Sequence, residues 1–231
     1  MEKQKKKFSL AQKINVLRAS VMGANDGILS IAGIVLGVAG ASTSNWAILI
    51  SGLAGMLAGT VSMSMGEYVS VNSQKDSERQ AIATVKMALD NDYQAQFNYV
   101  ENKYRQTGMN QALAHKATSE MMNDDALTTV VRERYAFDPS KFTSPYAAAI
   151  ASLISFPLGS LLPLISIFVG PANWHIMTTF VAVIIALAIT GYLAAILSKA
   201  NRFKAVLRNV ISGVVTMSVT YLIGALVGLV D

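Results

Sequence analysis

The stretch from Gly52 to Asp76 reads GLAGMLAGTVSMSMGEYVSVNSQKD: an apolar, glycine-spaced run that ends in an acid, Glu67, with no basic residue near it in sequence. As a helix of 3.6 residues per turn, it puts Gly55, Gly59, Met63 and Glu67 on one face, which Ser70, Gln74 and Glu78 continue. A carboxylate at membrane depth costs about 2.5 to 3.5 kcal/mol, so by default it lines a protein or water-filled path. This helix reads as the wall of a cation pathway.

Outward from that stretch, the chain of 231 residues is 52% hydrophobic, and several of its apolar runs exceed the roughly 20 residues that span a bilayer. It is an integral membrane protein by composition. Its net charge of +5 comes from Lys and Arg that flank the apolar runs, with no basic stripe carrying interleaved aromatics, so nucleic acid is not the expected partner. The absence of cysteine excludes disulfides, thiolate metal sites and cysteine nucleophiles. The lysine-rich start followed by Ala19 to Ala41 has the outline of a signal peptide, but that run is longer than the usual core of roughly 7 to 15 residues and carries Asp26. It reads as a retained first span.

Five segments can cross as helices: Ala19 to Ala41, Trp46 to Val71, Ser144 to Val169, Trp174 to Leu197 and Val210 to Val230. Of the 19 basic residues, six precede span one (Lys3, Lys5, Lys6, Lys7, Lys13, Arg18), nine lie between spans two and three, and four (Lys199, Arg202, Lys204, Arg208) lie between spans four and five. None is left for the loops at 42–45 and 170–173. The positive-inside rule then puts the N-terminus and the long middle segment in the cytoplasm and Asp231 outside. The expected fold is an all-α membrane protein: five transmembrane helices with a small helical cytoplasmic domain between spans two and three. The divisions are 1–18, 19–71, 72–143 and 144–231.

Asp26 and Glu67 are the ionisable acids inside the spans, and neither is expected to have an intramembrane cation to pair with. Span one repeats the pattern of span two, with Met22, Asp26, Ser30, Gly33 and Gly37 on one face. The pairs Gly33/Gly37, Gly55/Gly59 and Gly224/Gly228 suit close helix packing. In span three, Pro157 and Pro163 should kink or locally unwind the helix. Trp174 and His175 read as outer interfacial anchors. Span two should continue as helix towards Asn91, followed by a helix from Tyr93 to Gln106 that Gly108 ends, and a third that Asn110 caps and that runs to about Arg134. Within that third helix Glu120, Met121, Met122, Asp124 and Asp125 form either a solvated acidic face or a metal-capturing one.

The segments GANDGILSIAGIVLGVAGAS at Gly23, GLAGMLAGTVSMSMGEYVSVNSQKD at Gly52, SPYAAAIASLISFPLGSLLPLI at Ser144 and VTYLIGALVG at Val219 resemble the vacuolar iron transporter (VIT) family. The resemblance covers all five spans in order. It implies a homodimer of five-span subunits with a pathway at the dimer interface, moving Fe²⁺, and often Mn²⁺, out of the cytoplasm in exchange for protons. Its pathway residues fall on Asp26, Met63 and Glu67. Many members carry closely spaced glutamates after span two; here Glu78 is followed by Arg79, Gln80, Ala81 and later Lys86, so most of that cluster is missing. Glu120, Met121, Met122 and Asp125 look like the family's methionine-and-acid segment.

Carboxylate oxygens suit Fe²⁺ and Mn²⁺ but equally Mg²⁺ and Ca²⁺, whereas thioether sulfur adds affinity only for softer ions. Asp26 and Glu67 are the expected proton carriers, since a carboxylate can hold either metal or protons. No prosthetic group is expected. The rival reading is a membrane-anchored metal sensor or scaffold; an intramembrane enzyme is disfavoured because no Ser/His or His/Glu pattern lies in the spans. A bacterial plasma membrane is the expected location.

Overall fold

The computed structural model describes residues 10–41, 44–169 and 174–229. Lys3, Lys5, Lys6, Lys7, the 170–173 loop, residues 42–43 of the 42–45 loop and Asp231 lie outside the described residues. Seven helices and no strand occur among those described: α1 (Leu10–Ala41), α2 (Asn45–Asn91), α3 (Tyr93–Gln106), α4 (Gln111–Tyr135), α5 (Pro145–Val169), α6 (His175–Ser198) and α7 (Arg202–Val227). Five of them, α1, α2, α5, α6 and α7, are long and apolar enough to cross a membrane. The fold is therefore all-α and multi-pass, as the hydropathy pattern requires.

The helices outrun their apolar segments. α1 starts at Leu10 rather than near Ala19, and α7 at Arg202 rather than Val210, with the Asn201 side chain accepting from the Lys204 amide. Backbone hydrogen bonding continues where the side chains turn polar, because long basic side chains carry their charge away while their stems stay against the helix. α5 is helical without interruption through Pro157 and Pro163, so the local unwinding expected there does not occur. Both prolines sit inside a helix whose turns are held by packing, with Pro163 itself buried.

The chain forms two compact units, one made of Met1–Val69 with Ser144–Asp231 and the other of Ser70–Thr143. In the first, α1 packs against α5, α6 and α7, around a core that includes Ile31, Val35, Leu36, Val183, Leu187 and Met217. Small residues let the backbones meet. A Cβ on Gly159 would run into the Ala24 carbonyl, and one on Gly224 into the Gly37 carbonyl. The outward faces stay apolar, with Leu57, Val61, Leu158, Ile165 and Leu222 all exposed. Such a surface is a liability in water and what a lipid-facing surface needs.

In the second unit, Val85, Val100, Tyr104, Ala114, Met122, Val130 and Val131 make the core. The Asp92 carboxylate caps α3 through the Ala95 amide at 2.8 Å, and Asn110 caps α4 through the Leu113 amide at 2.9 Å. Gly108 takes φ +98 between them, a left-handed conformation that glycine adopts without strain. α4 is not one smooth helix. Asp125 leaves helical geometry, and its Oδ1 accepts from the Thr128 amide at 2.9 Å, so it caps the second half of the helix.

Candidate metal pathway

Residues four apart on α1, Arg18, Met22 and Asp26, lie on one helical face. The Arg18 guanidinium is a junction. Its Nη1 lies 3.2 Å from Met22 Sδ, its Nη2 3.2 Å from Glu67 Oε2, and Nη2 and Nε both reach Asn15 Oδ1, at 3.2 and 3.4 Å. Glu67 is only 7% exposed, whereas nearly half of the Arg18 side chain is open. The expectation that Glu67 lacks a cationic partner is therefore corrected. Because α1 begins well before its apolar run, Arg18 sits on the helix beside α2 instead of on a flank, and its long side chain spans the gap.

Asp26 is different: it is exposed and accepts from Ser30 Oγ at 3.2 Å. Eight residues separate it from Arg18, about 12 Å along a helix. Beside it, Asn25 turns inward, and its Oδ1 accepts from Asn209 Nδ2 at 3.0 Å and from Thr190 Oγ1 at 3.2 Å, tying α1 to α7 and α6. Met63 is half-buried one turn before Glu67, and between them Ser64 Oγ donates to the Ala149 carbonyl of α5 at 3.0 Å. No group of three or more His, Asp or Glu side chains gathers among the described residues.

The glycine half of the α2 stripe does not face open space. A Cβ on Gly55 would meet Ile34, and one on Gly59 would meet Phe156, so these glycines seat neighbouring side chains. Gly33 and Gly37 likewise lie against Thr216 and Thr220 of α7. The pathway reading narrows to the acid-bearing ends of the two faces, Met22 with Asp26 and Met63 with Glu67.

In the second unit the candidate residues scatter. Glu78 accepts from Gln74 Nε2 at 2.9 Å. Glu120 is exposed, 4.0 Å from Lys116 Nζ. Met121 Sδ takes a hydrogen bond from Tyr104 Oη at 3.1 Å, while Met122 is 3% exposed in the core. The same Tyr104 Oη lies 3.2 Å from Glu133 Oε1, so its single O–H is shared between the Met121 thioether and the Glu133 carboxylate. Burial and the neighbouring Glu133 carboxylate push that phenol above its ordinary range. The Thr128 amide holds the Asp125 carboxyl below the usual carboxylate range. Sequence reasoning passed over Arg18, Asn25 and Glu133. For Arg18 a signal existed, since it stands one turn before Met22 on the face already singled out.

A sequence profile of the VIT family matches residues 17–225, which takes in all five candidate spans nearly end to end. The chain belongs to the VIT family. It is similar to a vacuolar iron transporter from Acanthamoeba castellanii, at 32% identity over 91% of this chain and 78% of that protein. Vacuolar iron transporter homolog 2 of Arabidopsis thaliana is 30% identical over 99% of this chain and 93% of its own length. A rice (Oryza sativa) relative, also vacuolar iron transporter homolog 2, is 32% identical over 89% and 87%. These VIT relatives carry vacuolar names, so the bacterial plasma membrane expected from the sequence finds no support among them.

Proposed function

We propose that this VIT-family chain is a transporter, not an enzyme, and that it moves Fe²⁺, Mn²⁺ or both out of the cytoplasm in exchange for protons. The observation that carries this reading is Glu67: a carboxylate buried to 7% exposure in a candidate span, one turn from a methionine. Acid with thioether is the donor mixture that ranks Fe²⁺ and Mn²⁺ above Mg²⁺ and Ca²⁺. The names of the relatives support iron. Met22 and Asp26 stand exposed on the protomer, which supports a homodimer whose facing surfaces complete the path. Charge placement supports a cytoplasmic N-terminus and an external C-terminus.

Asp26 and Glu67 exchange metal for protons in this scheme, with Met63 steering selectivity. Met121, Glu120, Asp125 and Glu78 serve capture from the cytoplasm; Met122 joins them only if the core opens around it. The test is Fe²⁺ and Mn²⁺ uptake into proteoliposomes under an imposed pH gradient, for the wild type, Asp26→Asn and Glu67→Gln. Gradient-driven flux lost in both variants is the expected result. Metal binding without flux in the wild type sinks the transporter reading in favour of a sensor.

A further inference from the structure

We propose that Arg18 is a resident counter-cation of the pathway, holding the Glu67 carboxylate and the Met22 thioether until a divalent metal displaces it. The proposal rests on the reading of Glu67 as a pathway residue. One guanidinium fork touches both donor types, at 3.2 Å each, that a borderline-soft divalent ion would use. Arginine and metal cannot share the pair, because a guanidinium and a dication a few ångströms apart repel strongly.

The two partners differ in freedom. The Glu67 side chain is 8% exposed and that of Arg18 47%, so the arginine is the one with room to leave. A buried carboxylate stripped of its partner is strongly destabilising, and Arg18 therefore keeps the metal-free site intact. A cavity of about 370 Å³ opens beside it, lined by Met22, Ala194, Ser198 and Arg208 among others. Its α6 wall ends at Ser198, where helix carbonyls favour a cation, while the positive charge of Arg208 opposes a long stay. Metal entry thus breaks an ion pair and metal exit restores it, which keeps the site weak enough to empty.

The test is equilibrium Mn²⁺ binding to the purified full chain near neutral pH, read by the EPR signal of free Mn²⁺, alongside Mn²⁺ uptake kinetics in proteoliposomes. Charge-assisted contacts of this kind predict that Arg18→Gln binds Mn²⁺ about tenfold tighter, with a lower KM and a lower maximal rate. Arg18→Lys, whose ammonium lacks the fork, should fall between, about threefold tighter than wild type. In a Glu67→Gln background the Arg18 substitution should have a much smaller effect, because only the Met22 contact remains to be released. Unchanged or weaker Mn²⁺ binding in a folded Arg18→Gln protein overturns the proposal; if that variant does not fold, wild-type affinity in Arg18→Lys overturns it instead. Binding is read without flux, so a failure of transport is distinguishable from a failure of this displacement.

Discussion

Asn209 donates from Nδ2 to the Asn25 side-chain oxygen at 3.0 Å, fastening α7 to α1 one residue before Asp26. Thr190 of α6 gives that oxygen its second hydrogen bond, so both acceptor positions of the amide are used. Asn25→Leu strands the Asn209 amide in a half-buried place, while Thr190 Oγ1 still has the Leu187 carbonyl at 3.2 Å, and the change should cost about 1 to 3 kcal/mol. The checks are thermal unfolding of the purified protein and metal uptake, which should fall as Asp26 loses its fixed position. Full stability and full flux in this variant would show the tie to be incidental.

The close backbone approach between α1 and α5 predicts a contrast between two glycines. Gly159→Ala drives a methyl into the Ala24 carbonyl, and overpacking of this sort costs about 1 to 3 kcal/mol. Gly66 has nothing within 4 Å of its would-be Cβ, so Gly66→Ala should gain about 1 kcal/mol of helix propensity. Paired unfolding curves in one detergent decide the matter; equal effects of the two changes would contradict the packing described.

Neighbouring methionines of α4 should behave oppositely. Met122→Ala removes a core side chain and should destabilise by about 2 to 5 kcal/mol. Met121→Ala removes an exposed thioether, leaving stability nearly unchanged while weakening metal capture if Met121 is a ligand. Differential scanning calorimetry with and without Fe²⁺ or Mn²⁺ separates the two effects.

Asp125 gives a pH dependence with a definite sign. The folded protein holds its carboxyl below the ordinary range through the Thr128 amide, so the cap stabilises above that ordinary value and is lost as pH falls through the lower folded one. Asp125→Ala should cost about 1 kcal/mol at neutral pH. Asp125→Asn, which keeps the acceptor, should cost less and remove the acid sensitivity. Amide protection factors over residues 126–130 as pH is lowered report both.

Much of the helical unit 70–143 was legible because its signals are local: no Pro or Gly interrupts α2 between Glu67 and Asn91, and the Asn110 cap stands where the pattern places it. The break at Asp125 was not, since an aspartate amid other acids reads as a polar face until its partner amide is known. The split between Met121 and Met122 is equally local in sequence but decided by which neighbour each turn meets. Arg18 was hidden for a longer-range reason: it stands 49 positions before Glu67 in the chain, and only the packing of α1 beside α2 brings them to 3.2 Å. Asp26 and Glu67 stand out in the sequence as acids out of place in apolar runs, because the cost of burying a carboxylate keeps such residues rare there.

The backbone-on-backbone crossings of α1 also have a kinematic consequence. Carbonyls locked against glycines at Gly27, Gly159 and Gly224 leave no layer of side chains to shear, so α1, α5 and α7 are expected to behave as one rigid frame. α2 meets that frame through the side chains of Leu164, Ile34 and Phe156 and through the Ser64 hydroxyl on the Ala149 carbonyl instead. A shift of the α2 segment that carries Glu67 would therefore rearrange side chains without parting a carbonyl–glycine seam, and the Arg18–Glu67 contact, which joins α1 to that segment, would register it.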